Sequence, residues 1–495
     1  MLRQRTMLPL KARSFESLRK EYLPMPDIFL RKGLNSTFKM AAWLMPLLLA
    51  VCVPGETTPA PASANLKSVP TGQATNEVLR LTLQDAISMA LRNNLGVIEN
   101  GENIQSARGQ RLRALSKLLP QIDAGVNEDV QQISKAVLGI KSALVPSVIG
   151  PFGYSTAQAS LSQTLFSLEN IQRFRAARTE EEVARLTYQD TLDAVTLAVG
   201  NAYLQVIAAS SRIDAAEAQV KNAQALFDQA QDELQAGTSP RIDVTRTSVQ
   251  LHNELYNLSL ARNDFAIAKL NLSRAIGLPL GQSFEIADQL PYAELDPLSV
   301  DDALKTAFRS RSDFQSALSS VKSAQQELSA ARGERYPVLA VNGDYGVQGV
   351  NFGSSHGAFT FQAGLNVPIF TGGKIKGDVV QAEATLRQRK AQAEDLRGQI
   401  DYDVRTSFLN LQAAKEQVTV ARQNVDLANE NLARSKDRFA AGVTDSVEVV
   451  QAQQSLASAN NQYINSLYSH NLAKLELARA LGVARNSYSQ YIATH

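Results

Sequence analysis

The sequence predicts a mainly α-helical chain that also carries membrane β-strands, built from one unit used twice. Each unit holds long coiled-coil helical hairpins, and the two units together supply four transmembrane strands. Three observations predict this. Segments of the chain recur in the same order about 205 to 217 residues apart. Long Pro-free stretches carry apolar residues at alternating spacings of three and four. Four runs of about ten residues alternate apolar with polar. A period near 3.6 marks helix and a period of 2 marks strand, so the two patterns are separable along one chain.

The repeat is concrete. Leu81-Thr82-Leu83-Gln84-Asp85-Ala86-Ile87 returns as Leu298-Ser299-Val300-Asp301-Asp302-Ala303-Leu304. Leu234-Gln235-Ala236-Gly237 returns as Phe439-Ala440-Ala441-Gly442, and Arg274-Ala275-Ile276-Gly277 as Arg479-Ala480-Leu481-Gly482. Each unit is thus expected to hold a long helix, two strands and two more long helices. The boundaries that follow are residues 1–64 for a leader and linker, 65–290 and 291–485 for the two repeats, and 486–495 for a tail.

The N-terminus reads as an address. Arg31, Lys32 and Lys39 precede an apolar run over residues 40–53. That run is too short for a spanning helix, which takes roughly 20 residues. It fits a secretory signal, with Ala62-Ser63-Ala64 as the cleavage site and Met25 as the start of a more usual leader. Cys52 is the sole cysteine, so no internal disulfide forms. It follows Leu49-Ala50-Val51, which resembles a bacterial lipoprotein signal; Cys52 is either a lipidation site or a leader residue that is discarded. Nine of the 50 Lys and Arg and four of the 48 Asp and Glu fall in residues 1–64. The remainder holds 41 against 44, a net charge of −3, so the basic balance belongs to the leader and nucleic acid is not implied.

Pro120 and Pro337 stop the opening helices. Alternation then begins: Ile122, Ala124, Val126 and Val130 in the first run, Ala157, Ala159, Leu161 and Leu165 in the second. The second unit continues it with Leu339, Val341, Tyr345 and Val347, then Phe359, Phe361, Ala363, Leu365 and Val367. Runs of this length suit tilted strands crossing a bilayer, one face to lipid and one to water. Phe152, Tyr154, Phe166, Tyr336 and Phe370 near the strand ends suit an interfacial girdle. The connection over 131–153 is a long, rather apolar loop. Four strands cannot close a barrel. An open sheet in lipid leaves unpaired N–H and C=O groups that each cost several kcal/mol. The strands must therefore close with copies of themselves, two giving eight strands and three giving twelve.

No Pro lies between Phe152 and Ser239 or after Ile369. Positions 192, 195, 199, 202, 206, 209, 213, 216, 220, 223, 227, 230 and 234 are all apolar and alternate large with small. The second unit repeats the seam from Ile400 through Val404, Leu411, Val418 and Leu432 to Phe439. Such spacing specifies coiled-coil packing. A single helix over 168–236 reaches roughly 100 Å. Each long helix ends at a turn, Gly237-Thr238-Ser239-Pro240 or Gly442-Val443-Thr444-Asp445, before return helices over about 240–275 and 446–481. Asp243 and Glu448 sit where they favour the positive end of the return-helix dipole.

The ordered set of marks resembles the TolC-like outer-membrane efflux protein family over residues 78–485. The marks are the duplicated unit, Tyr336-Pro337 entering a strand, Pro368-Ile369-Phe370-Thr371-Gly372-Gly373 leaving one, and the paired Ala-Gly tips followed by Ile242-Asp243 and Val447-Glu448. The resemblance implies a homotrimer with a twelve-stranded β-barrel in outer-membrane lipid and a twelve-helix α-barrel across the periplasm. It implies tips docking a periplasmic membrane-fusion adaptor and an inner-membrane pump of RND, ABC or MFS type. By motif position it puts Glu448 on an acidic gate ring, with Asp243 as first-repeat counterpart. Phe439 then stands where some relatives carry Tyr, Gln451 where some carry a second acid, and Thr444 where some carry Arg. The docking tips are Gly237, Thr238, Ser239, Pro240, Gly442, Val443, Thr444 and Asp445.

An enzyme is not expected. The four histidines, His252, His356, His470 and His495, form no ligand motif, and Gly372-Gly373-Lys374 lacks the rest of a phosphate loop and reads as a strand-to-helix hinge. Neither a metal site nor a cofactor is expected. The rival reading is a periplasmic coiled-coil adaptor or structural protein; within the channel class, a type I protein-secretion duct is the second rival, and drug, metal, metabolite and protein cargo stand equal.

Overall fold

The computed structural model describes residues 67–288, 292–293, 295 and 298–485. The leader expected over 1–64, with Cys52 and Ala62-Ser63-Ala64, lies outside the described residues. So do the junction at 290 and 291 and the tail over 486–495.

The first repeat runs β1 (Leu79–Leu81), α1 (Leu83–Asn93), α2 (Leu95–Ser116), β2 (Gln121–Ser134), β3 (Val148–Phe166), α3 (Leu168–Gln235) and α4 (Arg241–Ile276). The second runs β4 (Phe284–Ile286), α5 (Val300–Ser310), α6 (Ser312–Gly333), β5 (Val338–Gly349), β6 (His356–Asn366), α7 (Lys374–Ala440) and α8 (Ser446–Ala480). The Pro-free stretches become unbroken helices of 68 and 67 residues. Every position of the first-repeat seam is buried or half-buried, as is every second-repeat position named above. Ser167 caps α3 by accepting from Asn170 N, and Gly373, at φ 89°, turns the chain into α7 as the hinge reading expects.

The opening helix of each repeat is not single, which corrects the sequence reading. Asn94 and Arg311 are extended and split it in two. Asn94 restarts the helix by accepting from Val97 N at 3.2 Å. Arg311 is buried, and its guanidinium donates to both oxygens of Asp313 and to Asp403 Oδ2 at 2.9 Å. The repeated glycines lie against the break. A Cβ on Gly277 would stand 2.6 Å from Asn93 Cβ, and one on Gly482 would stand 2.7 Å from Arg311 N. Both have left-handed φ, 77° and 72°. The return helices therefore end by pressing backbone against the two kinks. A short parallel pair, β1 with β4, ties the repeats together here and was not legible as strand. Beside it the Tyr203 hydroxyl lies 2.6 Å from Asp288 Oδ2, and burial together with that carboxylate pushes the phenol well above its usual range.

The four long strands form one antiparallel sheet in the order β2-β3-β5-β6. They are 14, 19, 12 and 11 residues long, so two run well beyond the expected length of about ten, and the expected 131–153 loop narrows to 135–147. Register aligns chemistry across all four. Ile122, Leu161, Gly343 and Phe361 make one row, and Ala124, Ala159, Tyr345 and Phe359 the next. On the other face run Asp123, Ser160, Asp344 and Thr360, then Gln121, Ser162, Asn342 and Gln362. Across these rows one face is apolar and the other polar, and Ile122, Val126, Phe359 and Phe361 are all exposed on the apolar one; nearer the strand ends Glu128, Ser155 and Gln163 interrupt it.

Helices extend this order downward. α2 leads into β2, β3 into α3, α6 into β5 and β6 into α7. Beneath the sheet α3 packs on α2 and α6, and α6 on α7; lower still α3 packs on α4 and α8, and α8 on α7. One lateral edge of the protomer is thus β2, α2 and α4, and the other is β6 and α7.

Replacing Gly482 with Ala is expected to cost about 1–3 kcal/mol, because it adds left-handed strain to a closed contact. Gly398, mid-α7 with nothing within 4 Å of a Cβ, is the control; there Ala is expected to be neutral or to stabilise by about 0.5–1 kcal/mol. Thermal unfolding midpoints of the two detergent-solubilised variants check this.

Candidate functional site

The tips are where both repeats turn. At the first, Thr238 N donates to Glu233 O at 2.9 Å and Gly237 N to Leu234 O at 3.1 Å. At the second, Val443 N donates to Arg438 O at 3.0 Å and Gly442 N to Phe439 O at 2.9 Å. This paired pattern satisfies the last helical carbonyls and needs a left-handed residue, supplied by Gly237 at φ 75° and Gly442 at φ 69°. Pro240 precedes α4 without a side-chain cap, whereas Asp445 caps α8 by accepting from Val447 N at 3.1 Å. Thr238, Gly442 and Val443 are exposed; Ser239 and Thr444 are half-buried.

Asp243 and Glu448 both occupy the first turn of a return helix, yet their surroundings differ. Asp243 is 7% exposed. It accepts from Ser446 Oγ at 2.7 Å, from Arg246 Nη1 at 3.0 Å and from Ser239 Oγ at 3.2 Å. Because Ser446 opens α8, Asp243 joins the first hairpin to the second. Glu448 stays within its own hairpin. It accepts from Thr444 Oγ1 at 2.5 Å and from Ser435 Oγ at 3.4 Å, and it faces Arg438 Nε at 3.4 Å. Its side chain is 37% exposed, so it meets water where Asp243 does not.

Phe439 is buried with Leu226, Leu432, Val449, Ala452 and Leu456, at the meeting of α3, α7 and α8. Gln451 is exposed beside this cluster, with its backbone carbonyl accepting from Ser455 Oγ. Sequence reasoning missed Arg246, Ser446 and Arg438. Arg246 follows Asp243 by three residues on one helix face, which was a usable signal. The contact from Ser446 spans 203 residues and left none. Above it Gln454 Nε2 donates to Gln250 Oε1 at 3.3 Å, and Gln250 Nε2 to Glu254 Oε1 at 2.6 Å, continuing the polar seam between α4 and α8. His470 is buried and tilted against Tyr292, and His252 is exposed, in keeping with packing and surface roles.

The family model for outer membrane efflux proteins matches residues 86–278 and 303–483. The chain belongs to the outer membrane efflux protein family. Among related sequences, outer membrane protein TolC of Salmonella enteritidis is 23% identical over 454 residues, covering 89% of this chain and 86% of the relative. The alkaline protease secretion protein AprF of Pseudomonas aeruginosa is 24% identical, covering 84% of this chain and 89% of its own. Among solved structures, the outer membrane protein VceC of Vibrio cholerae superposes with a TM-score of 0.72 at 19% identity, covering 82% of this chain and 97% of that one; this likeness shows the fold. This outer membrane efflux protein therefore resides in the outer membrane and extends into the periplasm. The rival reading as an adaptor or structural coiled coil gives way to the family match.

Substituting Phe439 with Ala is expected to cost about 3–5 kcal/mol, since it empties the hub of three helices. The expected readouts are a lower thermal midpoint and faster tryptic cleavage at Arg438.

Proposed function

We propose that three copies of this chain close into one conduit. Twelve strands form a barrel in the outer membrane, and twelve helices form a tunnel across the periplasm. Residues 65–290 and 291–485 are the two repeats of each copy. The tips receive substrate from a periplasmic membrane-fusion adaptor and an inner-membrane pump of RND, ABC or MFS type, and pass it to the exterior.

One observation carries this reading: both lateral edges of the protomer are unfinished in complementary ways. β2 and β6 leave their outer N–H and C=O groups unpaired within the protomer. On the same two edges, α4 exposes Ile242, Val249 and Tyr256 at seven-residue spacing, and α7 exposes Tyr402 and Leu409, then Val420 and Leu427, at the same spacing. Seven-residue apolar stripes are coiled-coil seams without partners. An edge that fits a different edge makes a head-to-tail contact, which closes as a ring when the rotation permits. Two copies would give eight strands whose interior side chains fill; three give twelve and leave an open lumen lined by the sheet's polar face.

The gate belongs to the tips. The Asp243, Arg246 and Ser446 contact holds the two hairpins together, and Glu448 supplies one carboxylate per copy to a narrow ring. Opening then requires breaking the first contact while leaving the tip turns intact. Three like charges on one constriction focus a potential that favours cations.

Two measurements check the proposal. Tyr256 lies about 15 residues above the first tip and Leu427 about 13 above the second, within one helical turn of each other in height. The double variant Tyr256→Cys, Leu427→Cys is expected to cross-link into a covalent three-chain species in cell envelopes; failure to link chains would count against closure. For the gate, Glu448→Gln is expected to lower cation selectivity and block by multivalent cations in planar bilayers. Unchanged selectivity would remove Glu448 from that role.

A further inference from the structure

A cavity of about 630 Å³ opens on one face of the helical wall, lined by α2, α3 and α6 beneath the sheet. Five cations face it: Arg111, Arg175, Arg178, Arg185 and Lys322. Against them stand two carboxylates, Glu181 and Glu182, a net of +3. The Glu181 side chain is only 6% exposed; Arg185 Nη2 lies 2.9 Å from its Oε1 and Arg111 Nε 3.0 Å from its Oε2. It positions those two guanidinium groups at the cavity wall. Arg175, Arg178 and Lys322 form no ion pair among the described residues. Thr179 Oγ1 donates to Gln326 Oε1 at 2.8 Å, which turns the amide nitrogen of Gln326 into an available donor.

The other face of the same wall carries its charge differently. Its cavity is lined by Arg173, Lys374 and Arg389 together with four carboxylates. There Glu334 pairs with both Arg173 and Lys374, and Asp378 pairs with Lys374. At nearly the same height one face neutralises its cations and the other does not. A general excess of surface charge would not produce that contrast.

We propose that the cationic cavity is a binding site for a phosphate-bearing anion. Arginine forks match the oxygens of phosphate, and a net charge of +3 favours an anion over a zwitterion. The volume falls within the range of about 300–1,000 Å³ usual for ligand sites. Height indicates a source. Arg175 stands nine residues beyond Phe166, where β3 ends, so it lies roughly 14 Å below the strand end. The headgroup layer is about 5–8 Å thick, and the Arg175 side chain bridges the rest by reaching toward the interface, whereas Arg185, roughly 28 Å below the strand end, serves only the deep end of the cavity. An anionic phospholipid headgroup of the inner leaflet and a soluble phosphate ester share this chemistry. The lipid source rests on the sheet spanning the membrane; the cavity itself does not.

The test uses the full protein purified in detergent, as wild type, as Arg175→Gln, Arg178→Gln, Lys322→Gln, and as the charge-retaining Arg175→Lys, Arg178→Lys, Lys322→Arg. Native mass spectrometry follows binding of phosphatidylglycerol against phosphatidylcholine, and calorimetry follows glycerol phosphate. The neutral variant is expected to bind at least ten-fold more weakly than wild type. The charge-retaining variant recovers most of the affinity, and added salt weakens binding in both charged forms. Phosphatidylglycerol alone binding identifies the headgroup as the source; glycerol phosphate binding as well identifies a free phosphate ester. Equal binding by wild type and the neutral variant, no binding of either probe, or equal affinity for phosphatidylcholine overturns the site. Conductance of the same preparations in planar bilayers is read separately. A conducting neutral variant that has lost the ligand supports the site, and a wild type without conductance strikes the channel instead.

Discussion

Everything in this protomer is arranged around the unpaired backbone of two strand edges. Along β2 and β6 alternate N–H and C=O groups point away from the sheet with nothing in the protomer to receive them. In water such an edge is a liability that side chains can blunt. In hydrocarbon each unmet group costs several kcal/mol, and two edges of this length total tens of kcal/mol. The apolar rows through Ile122, Leu161 and Phe361 commit the sheet to lipid, so the edges cannot be left to solvent. In the proposed conduit, closure on further copies meets that need, and the polar rows on the opposite face line a water-filled interior.

The helices obey the same lateral logic. α2, α3, α6 and α7 hang directly from successive strands, so in the proposed trimer an interface made by β2 and β6 would bring the exposed seams of α4 and α7 together below it, and sheet and coiled coil would close as one. The glycine contacts at Gly277 and Gly482 serve this continuity by bracing the kinked opening helices against the return helices at mid-height. At the tips the hairpins join through the apolar hub around Phe439 and, between α4 and α8, through a polar contact of a few side chains, and the proposed gate acts on the second. Hydrogen bonds to a charged group contribute about 1.5–3 kcal/mol each net, an amount that docking of another protein can replace.

Much of this was legible in the sequence because periodicity survives any tertiary context. The long helices, the four strands and the tip turns carry strict patterns over many residues. The Gly pairs, recognised as repeat marks, turned out to be contacts with the kinks at Asn94 and Arg311. Those kinks were not legible. Arg311 favours helix by itself and is held extended by carboxylates at positions 313 and 403, a tertiary override of local preference. The β1 and β4 strands are three residues each, too short for any alternation to register. At the tip, Glu448 and Asp243 looked equivalent by repeat position. Their different burial depends on which hairpin lies alongside, and spacing along the chain carries no such information.

The mass of the detergent-extracted particle tests the central claim most directly. Native mass spectrometry after gentle removal of detergent is expected to show three chains per particle, with no stable single chain. A water-soluble particle of one chain, its sheet intact without lipid or partners, would contradict the account, because its strand edges would then need no copies to complete them.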